Sequence, residues 1–119
     1  MLTLLISIAG AAGAMTRFFV DGRVKESIER TFPFGTIFIN VTGSFILGLL
    51  TDLFTHHLIS SPAKTVIGTG FCGGYTTFST ANYESIRLAK GAKRLLALAN
   101  TGITLVLTMA AAIVGIEIV

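Results

Sequence analysis

The sequence predicts an all-α membrane protein: four transmembrane helices joined by short connections, the third of them broken. Three observations carry this. The 119 residues are 52% hydrophobic and only 13% charged, and mean hydropathy is +0.80, beyond what a soluble domain of this size exposes. Apolar stretches of roughly 20 residues, enough to cross about 30 Å of hydrocarbon, recur along the whole chain. The run Gly70-Phe-Cys-Gly-Gly-Tyr-Thr-Thr-Phe-Ser-Thr-Ala81 interrupts one of them with glycines and hydroxyls. Loosened helix at membrane depth persists only inside protein or along a polar pathway, because lipid satisfies no backbone group.

Span 1 runs from about Leu2 to Val20. Ala9-Gly10-Ala11 resembles a cleavage site, but no basic residue precedes the apolar run, so the segment reads as retained. Span 2 runs from about Phe34 to Phe54 and is entered through Pro33, a residue suited to a helix start. Span 3, about Ala63 to Leu88, carries the glycine-rich break, and span 4 covers about Leu95 to Ile118. Together they read as one transmembrane domain over residues 1–119. The single cysteine, Cys72, excludes an internal disulfide and reads as a packing residue.

Four spans place both termini and the 55–63 loop on one side, and the 20–34 and 88–95 loops on the other. Arg17, Arg23, Lys25, Arg30, Arg87, Lys90, Lys93 and Arg94 fall on the second side, and Lys64 alone on the first. Basic residues in short loops set orientation, so both termini are expected outside and the basic loops in the cytoplasm. The net charge of +3 then reflects topology rather than nucleic-acid binding.

Polar residues within the spans fall on stripes. Thr36, Asn40, Gly43 and Ser44 share one face of span 2, and Asn100, Thr104 and Thr108 recur every four residues on span 4. A carboxamide such as Asn40 costs several kcal/mol in hydrocarbon when unpaired, so it meets another helix, water or a solute. The plain alternative for each Thr is a hydroxyl turned back onto its own helix carbonyl. Arg17 ends span 1 either as an interfacial anchor or as an electropositive entrance for an anion. No span centre holds Asp, Glu, Lys or His, which removes a proton relay, a cation-binding carboxylate and a metal cluster. His56 and His57 read as a solvated loop pair. Ser79 has neither histidine nor lysine near it in sequence, so nucleophilic catalysis is not expected.

Hydroxyls, amides and aromatic rings without an acidic residue favour a small anion. A phenyl ring has a positive edge that attracts an anion in its plane. Thr, Ser and Asn donors must replace most of the water around a compact anion, while several weak sites still permit release.

These residues resemble the bacterial Fluc/CrcB family of fluoride ion channels, and the similarity covers nearly the whole chain. Gly13-Ala14-Met15-Thr16-Arg17 looks like the family's Gly-Ala-x-x-Arg, and Gly35-Thr36 through Asn40 and Gly43 like its Gly-Thr-x-x-x-Asn-x-x-Gly. Gly70 through Thr80 matches its signature Gly-x-x-Gly-Gly-x-(Thr/Ser)-Thr-Phe-Ser-Thr-Phe at all but the last place, which is Ala81 here. The resemblance implies a passive fluoride channel in a bacterial plasma membrane, built as an antiparallel dimer, that vents fluoride entering as HF. It implies that Gly73 and Thr76 offer backbone carbonyls to a structural Na⁺ shared between subunits. Phe78 would present a ring edge to fluoride, Asn40 would donate from span 2, Ser79 and Thr80 would belong to a polar track with Thr104 and Thr108, and Arg17 would sit near the vestibule.

Ala81 removes one of two phenylalanines that each pore of the family uses, and the eight-to-one charge split disfavours insertion in both orientations. Both point to a heterodimer with a paralogous subunit of opposite loop bias, with an unusual homodimer as the alternative. Two other classes remain open at this stage. A small multidrug exporter would need a membrane carboxylate, for which Glu84 is the one candidate, its plain reading being a pair with Arg87. A purely structural membrane subunit would leave the glycine-hydroxyl run without a use.

Overall fold

A computed structural model of the chain describes residues 1–27, 34–76, 86–91 and 93–118, with the side chains of 25–27 and 34 left aside. Helix α1 covers Leu2–Ser27 and α2 covers Phe34–Thr55. A composite helical run follows: α3 over Ser61–Lys64, a π-helical stretch over Thr65–Cys72, and α4 over Gly73–Tyr75. Residues 86–90 are helical, and α5 covers Arg94–Ile116. Among the described residues there is no strand. Three helices are long and apolar enough to cross a membrane, over Leu2–Val24, Gly35–Thr55 and Arg94–Ile116.

The ends of α2 and α5 fall within two residues of the expected span limits, whereas α1 continues past Val20 to Ser27. At 1.5 Å per residue its 26 residues rise about 39 Å, more than the hydrocarbon is thick. On this extra length the Arg23 guanidinium lies 5.8 Å from the centre of the Phe19 ring, a cation–π contact.

Local chemistry accounts for the other helix ends. The Asp21 carboxylate lies against Gly35 so closely that a Cβ there has no room, which places negative charge at the positive end of the α2 dipole. At the far end, His57 adopts φ 61°. Its amide donates to the Phe54 carbonyl at 3.0 Å and that of Leu58 to the Leu53 carbonyl at 2.9 Å, a Schellman closure. Ser60 then caps α3, its Oγ accepting from the Ala63 amide at 3.2 Å.

Two backbone crossings hold the helices together. Gly13 of α1 abuts the Phe71 carbonyl and the Tyr75 amide, and Gly74 abuts the Gly10 carbonyl. Likewise Gly48 of α2 sits on the Ala112 carbonyl, and Gly115 of α5 on the Phe45 carbonyl. Lipid tails are as apolar as leucine, so helices associate in membranes through this close packing of small residues. Ile37, Ile39, Leu50, Cys72, Tyr75 and Leu88 are buried, while Met15, Phe18, Leu95 and Leu98 are among many large apolar side chains left outward, where lipid replaces a soluble core.

Candidate functional site

The polar stripe of α2 turns inward. Thr36, Asn40 and Gly43 are buried and Ser44 is half-buried, with Asn40 only 9% exposed. On α5, Asn100 is 2% exposed and Thr104 and Thr108 are half-buried. Thr36, Asn40 and Asn100 all have polar partners, as buried amides and hydroxyls require. α2 and α5 are the most extensively packed helix pair, so the two stripes belong to one seam of the subunit.

The two threonines of the α5 stripe differ. Thr108 Oγ1 donates back to the Thr104 carbonyl at 2.7 Å, which occupies its only proton. Thr104 Oγ1 is inaccessible to solvent and makes no hydrogen bond. A buried hydroxyl without a partner costs about 1–3 kcal/mol, and Thr104 carries the one proton of this pair that is not committed to its own helix. By contrast, the open groove along Ala99, Gly102, Ile103, Val106 and Leu107 is lined by apolar residues alone.

The third helical run meets the seam at its end. Tyr75 is the last residue of α4, and Thr76 is extended, at φ −80° and ψ 161°. Tyr75 is 5% exposed, and its hydroxyl lies 2.8 Å from Thr42 Oγ1. The Thr76 methyl rests directly on Gly43. Thr76 Oγ1 donates to the Cys72 carbonyl at 2.8 Å. Gly73 is exposed within the subunit, and a Cβ on it would meet nothing within 4 Å. The π-helical stretch just before it alters the face that Gly73–Thr76 present, and such stretches concentrate at functional sites.

Phe78, Ser79, Thr80, Ala81 and Glu84 lie outside the described residues. Arg17 is half-buried on α1, one turn before Asp21. Among the described residues, no group of three His, Cys, Asp or Glu gathers as a metal centre.

Sequence reasoning missed three features. Asp52, within the α2 span, is 4% exposed, so Glu84 is not the sole carboxylate candidate at membrane depth. His56 is not simply solvated, since its Nδ1 lies 3.2 Å from Asp52 Oδ1 and 2.9 Å from the Asp52 carbonyl. The i, i+4 spacing of these two residues was the available signal. Tyr75 also escaped notice, although a tyrosine inside a span needs a partner for its hydroxyl.

A family model described as "CrcB-like protein, Camphor Resistance (CrcB)" matches residues 4–116. The chain is 49% identical to Fluoride-specific ion channel FluC 1 of Leifsonia xyli over 90 residues, which are 76% of this chain and 66% of that protein. It is 41% identical to Fluoride-specific ion channel FluC 2 of Mycobacterium tuberculosis over 110 residues, 92% of this chain and 84% of the relative. Against Fluoride-specific ion channel FluC of Pyrococcus abyssi it is 39% identical over 114 residues, 95% and 91% of the two chains.

Proposed function

This chain belongs to the CrcB-like family, and from that premise we propose that it is a fluoride-specific ion channel, a multi-pass protein of a bacterial plasma membrane through which fluoride runs passively out of the cell. The observation that carries the reading is the run of 38–49% identity to fluoride-specific channels across most of the chain. The family is one of channels rather than enzymes, and neither the multidrug-exporter reading nor the structural-subunit reading gains support from these relatives.

In this reading the chain crosses the membrane four times, its third span broken at the glycine-rich run. Fluoride loses its water to neutral donors: Asn40 from α2, Thr104 from α5, and Ser79 and Thr80 after the break, with the edge of the Phe78 ring alongside. Arg17 raises the local anion concentration at the vestibule. Neutral donors, with no lysine at a span centre, keep binding weak enough for release. Because Thr108 spends its proton on its own helix, Thr104 is the working α5 donor. Thr104→Val should lower fluoride efflux from liposomes about tenfold or more, the value of a hydrogen bond to a charged partner, while Thr108→Val should stay within about twofold.

The residues present also suit a structural Na⁺ at the dimer interface. Gly73 and Thr76 offer hard carbonyl oxygen, and the open space over Gly73 leaves room for an ion and a second subunit. Such an ion, when bound, would fix the broken helices of two antiparallel subunits to each other. Ala81 in place of a phenylalanine, together with the uneven basic loops, favours a heterodimer with an oppositely oriented paralogue.

The test is fluoride efflux from liposomes, read by electrode with chloride as control, for the chain alone and with a second family member from the same organism. Efflux selective for fluoride only in the mixed sample supports both the activity and the heterodimer. Rapid efflux from the chain alone removes the heterodimer, and fluoride retention in both samples removes the channel.

A further inference from the structure

We infer that Tyr75, through its hydroxyl's bond to Thr42, is a positioning residue of the ion pathway, fixing the height at which the chain leaves the third helical run beside Asn40; this rests on the fluoride-channel reading. The proton directions follow from the geometry. Thr42 Oγ1 donates to the Phe38 carbonyl at 2.9 Å and approaches the Ile39 carbonyl at 3.1 Å. Its single proton is thereby used, so across the 2.8 Å contact the Tyr75 hydroxyl donates and Thr42 accepts. The relay ends on backbone, which holds the tyrosine at one register of α2. In the membrane interior no water competes for the bond.

The bond sits where register matters. Tyr75 is the last helical residue and Thr76 is already extended, so one side-chain bond anchors the chain at the point of exit. Thr76 adds a second hold on the adjacent residue of α2, its methyl seated on Gly43. Gly43 shares a helix face with Asn40, three residues earlier. The two holds therefore set the exit point against the α2 donor, with Phe78, Ser79 and Thr80 following within five residues in sequence. The Tyr75 ring is supported separately by its stack on Phe71, with centroids 5.9 Å apart and planes 16° apart. Deleting the hydroxyl leaves that support in place.

Tyr75→Phe, Thr42→Val, the double variant and Thr42→Ser are compared in whichever assembly conducts, the chain alone or with its partner subunit. The readouts are fluoride efflux per reconstituted dimer and the fluoride-to-chloride ratio. Tyr75→Phe and Thr42→Val should each lower efflux about fivefold or more, the scale of one net hydrogen bond, with a reduced fluoride-to-chloride ratio and unchanged dimer elution. The double variant should be no worse than either single one, since both remove the same interaction, and Thr42→Ser should conduct as the parent does. Full efflux and selectivity in Tyr75→Phe, or additive losses in the double variant, overturn the positioning role while the channel reading stands. A parent assembly that conducts no fluoride sinks both.

Discussion

Gly74→Val is expected to eliminate the folded subunit. The Gly74 Cα lies against the Gly10 carbonyl, and next to it Gly13 meets the Phe71 carbonyl and the Tyr75 amide. Ordinary overpacking costs about 1–3 kcal/mol because side chains shift to make room. Here the obstacles are backbone atoms of two crossed helices, so relief requires the helices to separate. Separation would forfeit the close packing on which association in lipid depends. The expected loss is about 3 kcal/mol or more, read as disappearance of the folded-protein peak on size exclusion in detergent. Gly73→Ala is the control, since a Cβ there meets nothing within 4 Å in the subunit and should leave its folding intact. A Gly74→Val protein that elutes like the parent would refute the crossing.

Asn40→Asp should reduce fluoride efflux roughly a thousandfold at pH 8 without unfolding the protein. The substitution is isosteric at a site only 9% exposed, so packing is conserved and charge is what changes. A carboxylate about 4 Å from a passing anion opposes it by about 4 kcal/mol at an effective dielectric of 20, and each 1.4 kcal/mol is tenfold. Electrode traces at pH 8, normalised to the parent, check the size of the loss. Parent-like efflux at pH 8 would place Asn40 off the pathway.

Much of this protein was legible in its residues because the bilayer imposes a coarse code. Length and apolarity placed the α2 and α5 limits within two residues, while α1 ran on past its expected end to Ser27. The inward stripe of Thr36, Asn40 and Gly43 followed from the 3.6-residue period. Periodicity could not separate Thr104 from Thr108. Both lie on one stripe, and only the hydrogen-bond geometry shows which hydroxyl has spent its proton. Nor could it find the Tyr75–Thr42 bond, which joins residues 33 positions apart, or the burial of Asp52 beside a half-exposed His56.

By itself the sequence determined that this chain enters a membrane, which faces of its helices carry polar groups, and to which family it belongs, since these depend on composition, period and motif. Tertiary structure alone decided which glycines are backbone crossings, which hydroxyl is left to donate, and what holds the exit from the third helical run. Those are properties of distance between segments far apart in the chain, and local pattern carries no information about distance.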